Sequence, residues 1–149
     1  MKQKFTGLKE LILERGRNYV LIDRVYNQTL LRTLYSMGDI FTICSSWENF
    51  PTTCIEAQCC GVPVSGFDRC GTKETVITEY GKRKNAEKLS EDNQMETFVE
   101  YGDIEALTEV TKKLLENGNE KTQLSNIAKK CYSKEQMSNA YLNLYQEIM

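Results

Sequence analysis

The stretch Phe41 to Glu74 constrains the fold more than any other part of the chain. It reads FTICSSWENFPTTCIEAQCCGVPVSGFDRCGTKE. Ile40 to Ser45 is a short apolar, β-rich run bounded by polar residues, and Val62 to Phe67 is another. The segment between them is long enough for a crossover helix. Strand, helix and strand at this spacing form a βαβ unit with parallel strands. Ligands in such sheets sit beyond the carboxyl ends of the strands. Ser45 to Pro51 and Asp68 to Thr72 are therefore expected side by side at that edge. A helix starting near Pro51 or Thr52 would face the same crevice. Its free N–H groups and positive dipole end favour a phosphate.

Composition removes several alternatives. The chain has 149 residues, one ordinary domain's worth, and 40% are apolar, enough for a core. The net charge of −2 gives no electrostatic footprint for nucleic acid. No apolar run approaches the roughly 20 residues of a membrane span. The opening MKQKFTGLKE lacks the apolar core of a signal peptide. Cys44, Cys54, Cys59, Cys60, Cys70 and Cys131 include an adjacent pair, and Cys44, Cys54 and Cys59 are expected inside regular elements. They read as reduced thiols of a cytosolic protein. The absence of histidine and of any C-x-x-C disfavours a zinc site and imidazole-based catalysis. No metal site is expected.

Along the chain, residues 3–15 carry Phe5, Leu8, Leu11 and Ile12 on one helical face, with Gly16 as a stop. Tyr19 to Ile22 reads as a strand. Asn27 can cap a helix with Leu30, Leu31 and Leu34 inward, ending near Gly38. Residues 82–96 read as a solvated polar insert, and Thr97 to Tyr101 as a last strand. Asp103 can cap a helix with Leu107, Val110 and Leu114 inward, stopped at Gly118. Leu124, Ile127, Ala128 and Cys131 mark a second helix. Ser133 and Gln136 form a capping-box pattern before a third, with Met137, Tyr141, Leu144 and Ile148 inward. The three helices span 103–148.

Glu48 and Glu56 stand in the setting S-S-W-E-N-F-P-T-T-C-I-E-A-Q-C-C-G-V-P-V. This resembles the E-x7-E signature of retaining GT-B glycosyltransferases, of the family 4 or group 1 type, with E-G-F-P ahead of E-A-M-A-x-G-x-P-V. Ser46, Glu48, Phe50, Pro51, Glu56, Ala57, Gly61, Pro63 and Val64 match. Leu34-Tyr35 and Cys70-Gly71-Thr72-Lys73-Glu74 also resemble the family, with Cys70 where relatives carry glycine and Asp23 where they carry another.

The resemblance implies an α/β fold. Its doubly wound, Rossmann-like parallel sheet is the C-terminal half of the GT-B architecture, truncated at its N-terminal strands. Residues 1–149 form one partial donor-binding domain around the motif block 40–74. Parallel strands are expected near 19–22, 40–44, 62–66 and 97–100, helices on both faces, and 19–22 paired directly with 40–44. The implied activity is sugar transfer from a nucleotide-sugar with retention, in bacterial polysaccharide or glycoconjugate synthesis. The donor is a substrate, and no cofactor is implied.

Glu56 would meet the ribose hydroxyls, and Glu48 would lie near the donor sugar as the catalytic-site carboxylate. The backbone at Asn49, Phe50 and Pro51 would touch the sugar, and the N–H groups of Thr52 and Thr53 the diphosphate. Arg24 and Val25 would lie at the base, or form a plain connecting loop. Gly71 would let backbone approach the ligand. Arg69 or Lys73 would compensate phosphate charge or simply be solvated. The acceptor-binding N-terminal domain of relatives has no counterpart here. The implied location is cytoplasmic, with peripheral membrane attachment through that other domain as a further option. A non-catalytic nucleotide-binding or assembly module built on the same fold remains the alternative. An NAD-type oxidoreductase is poor, because no G-x-G-x-x-G follows a strand.

Overall fold

Local signals explain most of the elements seen in a computed structural model, which describes residues 20, 22, 24–78, 82–83, 97–116 and 121–149. Asn27 accepts a hydrogen bond from the Leu30 N–H at 2.9 Å and so opens helix α1, Gln28–Met37. The helix closes at Gly38, whose N–H donates to the Tyr35 carbonyl. Strand β1, Phe41–Ile43, follows at once. Helix α2, Thr52–Cys59, starts behind Pro51, which suits a helix start because it has no N–H to leave unpaired.

Gly61 then turns the chain with φ +81°, and a Cβ there would lie 2.3 Å from the Lys121 carbonyl oxygen. Only glycine meets both conditions. Strand β2, Val64–Asp68, begins two residues later than the expected 62–66. The delay has a physical cause: Val62 and Pro63 bring the chain out of the glycine turn, and only then does the ladder start.

A 3-10 turn at Lys73–Thr75 leads to β3, Ile77–Thr78, which pairs antiparallel with β4, Lys82–Arg83. Strand β5 is Phe98–Glu100. Helix α3, Ile104–Glu116, is capped by Asp103, which accepts from the Ala106 N–H at 2.9 Å. Helices α4, Lys121–Cys131, and α5, Lys134–Ile148, complete the chain.

The main sheet is parallel, in the order β1-β2-β5. Phe41, Thr42 and Ile43 register with Val64, Ser65 and Gly66, while Gly66, Phe67 and Asp68 register with Phe98, Val99 and Glu100. Successive side chains of a strand point to opposite faces. Val64 packs with Ile43, Cys54 and Ala57 on the α2 side. Ser65, its neighbour, hydrogen-bonds Thr111 of α3 at 3.1 Å and Thr42 at 3.0 Å. Helices α2 and α3 therefore cover opposite faces, which makes this an α/β sheet of the Rossmann-like kind. The core is Ile43, Cys54, Ala57, Val62, Val64, Val76 and Phe98, with Tyr35 and Phe41 packed against it. Each large aliphatic side chain so buried contributes about 1.5–3 kcal/mol.

Several expectations change. Val20 and Ile22 lie in exposed, irregular backbone, so the expected strand 19–22 and its pairing with 40–44 are not formed by them. The rest of that segment, the helix at 3–15, Gly16, Gly118 and most of the insert at 82–96 lie outside the described residues. In α1, Leu30 is exposed and Leu31 and Leu34 are half-buried, and the core contact falls to Tyr35. The Tyr35 ring meets Phe41 edge-on at 5.8 Å. The stripe Met137, Tyr141, Leu144 and Ile148 is not inward: no residue of α5 is buried. Its period marks an apolar face without saying what covers it. Cys44 is exposed just beyond β1 rather than within it.

Candidate functional site

Two loops meet at the carboxyl end of the sheet. The Gly71 N–H donates to the Glu48 carbonyl at 3.0 Å. A Cβ at Gly71 would fall 1.5 Å from the Asn49 carbonyl oxygen. The missing side chain is thus required by the neighbouring loop, whatever else approaches it. The expectation that 45–51 and 68–72 lie side by side holds at backbone level.

The second loop is tightly fastened. The Thr72 hydroxyl donates to the Phe67 carbonyl at 3.1 Å and contacts the Arg69 carbonyl. Cys70 takes φ +52°, a left-handed conformation that costs a residue with a Cβ about 1–2 kcal/mol. The family resemblance leads one to expect glycine here, and φ +52° is a conformation glycine adopts at no steric cost. Below the loop, buried Gln58 donates to the Cys54 carbonyl at 2.9 Å and the Thr75 carbonyl at 2.7 Å, and accepts from the Ile77 N–H at 2.7 Å. Tyr132 of the segment after α4 donates to the same Thr75 carbonyl at 2.9 Å.

Among the side chains, Glu48 is half-buried and Asn49 and Phe50 are exposed. Pro51 is buried and provides no side-chain cap for α2. Thr52 and Thr53 are exposed in the first turn, which carries no acidic residue. That end of α2 keeps its uncapped, positive character. Burial pushes the Cys54 thiol up to about 11, with the Glu48 charge adding to it, so this cysteine is a packing residue and a poor nucleophile.

Glu56 sits one turn on from Thr52 and is exposed. It acts on Tyr35, whose pKa is pushed up to about 12, first by burial and then by the charge and hydrogen bonding of Glu56. Tyr35 therefore stays protonated at neutral pH, with the Glu56 charge beside it. A carboxylate has about four acceptor positions, enough to take two hydroxyls. Arg24 is exposed, with its guanidinium 5.3 Å from the Tyr26 ring centroid, and Val25 is half-buried beside it, both ahead of α1.

Two residues at this end of the sheet escaped sequence reasoning, Trp47 and Tyr101, and they flank Arg69, which was expected either to compensate phosphate charge or to be solvated. Arg69 lies against both rings, so neither plain solvation nor open display describes it. Lys73 pairs with Asp68. The available signal was the position of an aromatic or cationic residue just past each strand end. Among the described residues, no group of three or more histidine, cysteine, aspartate or glutamate side chains could hold a metal ion. No described helix is long and apolar enough to cross a membrane. A shallow depression of about 790 Å3 on α4, lined by Lys121, Thr122, Gln123, Asn126 and Ile127, contains none of the motif residues.

A family model described as glycosyl transferases group 1 matches residues 2–131. No curated protein matches the chain.

Proposed function

The chain belongs to the group 1 glycosyl transferases, and from that membership we propose that it is the donor-binding half of a retaining, two-domain enzyme. Its substrate is a nucleotide-diphosphate sugar, and the sugar passes to an acceptor held by a domain outside this chain. The product belongs to bacterial polysaccharide or glycoconjugate synthesis on the cytoplasmic side. The observation that carries the reading is the contact of Gly71 with Glu48 and Asn49. It joins the two motif loops into one rim above the uncapped start of α2.

In this reading the diphosphate lies on the N–H groups of Thr52 and Thr53, where fixed dipoles meet negative charge. Glu56, one turn along, accepts the ribose hydroxyls, because a charged acceptor makes strong hydrogen bonds to them. Glu48 faces the donor sugar and stabilises positive charge developing at the anomeric carbon as the diphosphate leaves. The backbone of Asn49, Phe50 and Pro51 contacts sugar hydroxyls, with Pro51 shaping the loop since it has no N–H to donate. Arg24 and Val25 flank the base. Gly71 lets the rim approach the ligand. The helix dipole and basic residues take up the leaving-group charge, with no metal in the scheme.

Calorimetric titration of the native chain with uridine diphosphate and guanosine diphosphate tests this reading. Saturable binding of at least one is expected. Failure of both to bind overturns the donor-site assignment.

A further inference from the structure

The Trp47, Arg69 and Tyr101 cluster has no part in the roles above. Trp47 immediately precedes Glu48, Arg69 follows β2, and Tyr101 follows β5. The Arg69 guanidinium carbon lies 5.1 Å from the Trp47 ring centroid and 4.4 Å from that of Tyr101. Tyr101 meets Phe67 of β2 edge-on at 5.4 Å. Arg69 is half-buried, and among the described residues no carboxylate pairs with it, since the adjacent Asp68 is engaged by Lys73. A guanidinium is attracted to ring faces by their quadrupole, and its flat shape lets it serve more than one ring.

We propose that Arg69 is a positioning residue for Glu48: by holding Trp47 against the ends of β2 and β5, it fixes the Glu48 loop on the sheet. Burial anchors that loop only at its end, where Pro51 is buried, since Trp47 is 74% exposed and Phe50 is 44% exposed. Two contacts to the 69–71 segment do. The Gly71–Glu48 hydrogen bond sets the main chain, and the Arg69–Trp47 contact sets the side chain next to it. The 69–71 segment is fastened by Thr72, whose hydroxyl donates to the Phe67 carbonyl and accepts from the Arg69 N–H at 3.3 Å. Without Arg69, no side-chain contact from the 69–71 segment supports the hydrogen bond that holds Glu48 in register with the sheet. The benefit to the reaction rests on the role of Glu48 proposed above, but the contact can be tested without it.

Trp47 is the sole tryptophan of the sequence, so its fluorescence reports this contact directly. Arg69→Met removes the charge and the planar group, and Arg69→Lys keeps the charge alone. Amide hydrogen exchange of the full chain reads the Glu48 loop at Gly71 and the sheet at Phe41 and Gly66, whose N–H groups bond the Pro63 and Thr97 carbonyls. In Arg69→Met the Gly71 amide is expected to exchange about tenfold faster while Phe41 and Gly66 keep their rates. Acrylamide quenching of Trp47 should rise with it, and Arg69→Lys should fall between. Unchanged Gly71 exchange in Arg69→Met overturns the proposal. So does a rise matched at Phe41 and Gly66, which reports general loosening. The role of Glu48 itself fails separately, in ligand titrations of Glu48→Gln with Arg69 intact.

Discussion

Cys70 and Tyr35 show how single residues set the tension of this site. Cys70 holds φ +52°, where glycine has no steric cost. Cys70→Gly relieves that strain and gives back part of it as unfolded-chain entropy. A net stabilisation of about 0.5–1 kcal/mol is expected, read as a higher urea midpoint at unchanged slope. Tyr35 titrates near 10 in an unfolded chain and at about 12 in the fold. Between those values the unfolded state binds fewer protons than the folded one. The contribution of the Tyr35 hydroxyl is thus present in full below pH 10 and is lost as the pH rises to about 12. Urea unfolding at pH 8 and pH 11 should show the native chain losing more stability than Tyr35→Phe. Equal losses would remove Tyr35 as a group coupled to Glu56.

At the scale of elements, α2 is the hub. Its start follows the 45–51 loop, its buried side packs on β1 and β2, and Gln58 links it to the turn after β2. Gln58→Leu keeps the volume and leaves the buried Ile77 N–H unpaired, so a loss of about 2–4 kcal/mol is expected in chemical denaturation. A loss below about 0.5 kcal/mol would mean that the turn does not depend on α2. The elements legible in the sequence were those with local signals. Asn27, Asp103 and Ser133 each cap an N–H three residues on, so a short window reveals them. The parallel pairing of β1 with β2 followed from the length between two apolar runs. The start of β2 did not, because the apolar Val62 looks like strand while Gly61 is still turning the chain. The contacts of Gln58 and Arg69 were illegible for another reason. Two of the three Gln58 partners are 17 and 19 residues away, and Arg69 reaches Trp47 and Tyr101, contacts that exist only after the topology is formed.

For the whole molecule, the proposed division of labour separates binding from transfer. Positioning of the acceptor supplies a large share of barrier reduction in group transfer. In that proposal the acceptor-binding half lies outside the 149-residue chain, which should then bind donor and, at most, hydrolyse it slowly. Robust transfer by the purified chain in a radiolabelled-donor assay would contradict that division. The central claim is the assignment of the two glutamates, Glu56 to the nucleoside and Glu48 to the sugar. Its most direct test is calorimetric titration of Glu56→Gln and Glu48→Gln with whichever nucleoside diphosphate the native chain binds. Glu56→Gln should bind about 1–3 kcal/mol more weakly, through loss of charge-assisted hydrogen bonds to the ribose, and Glu48→Gln should bind the bare diphosphate like the native chain. Native-like binding by Glu56→Gln together with weakened binding by Glu48→Gln would show the two roles to be reversed.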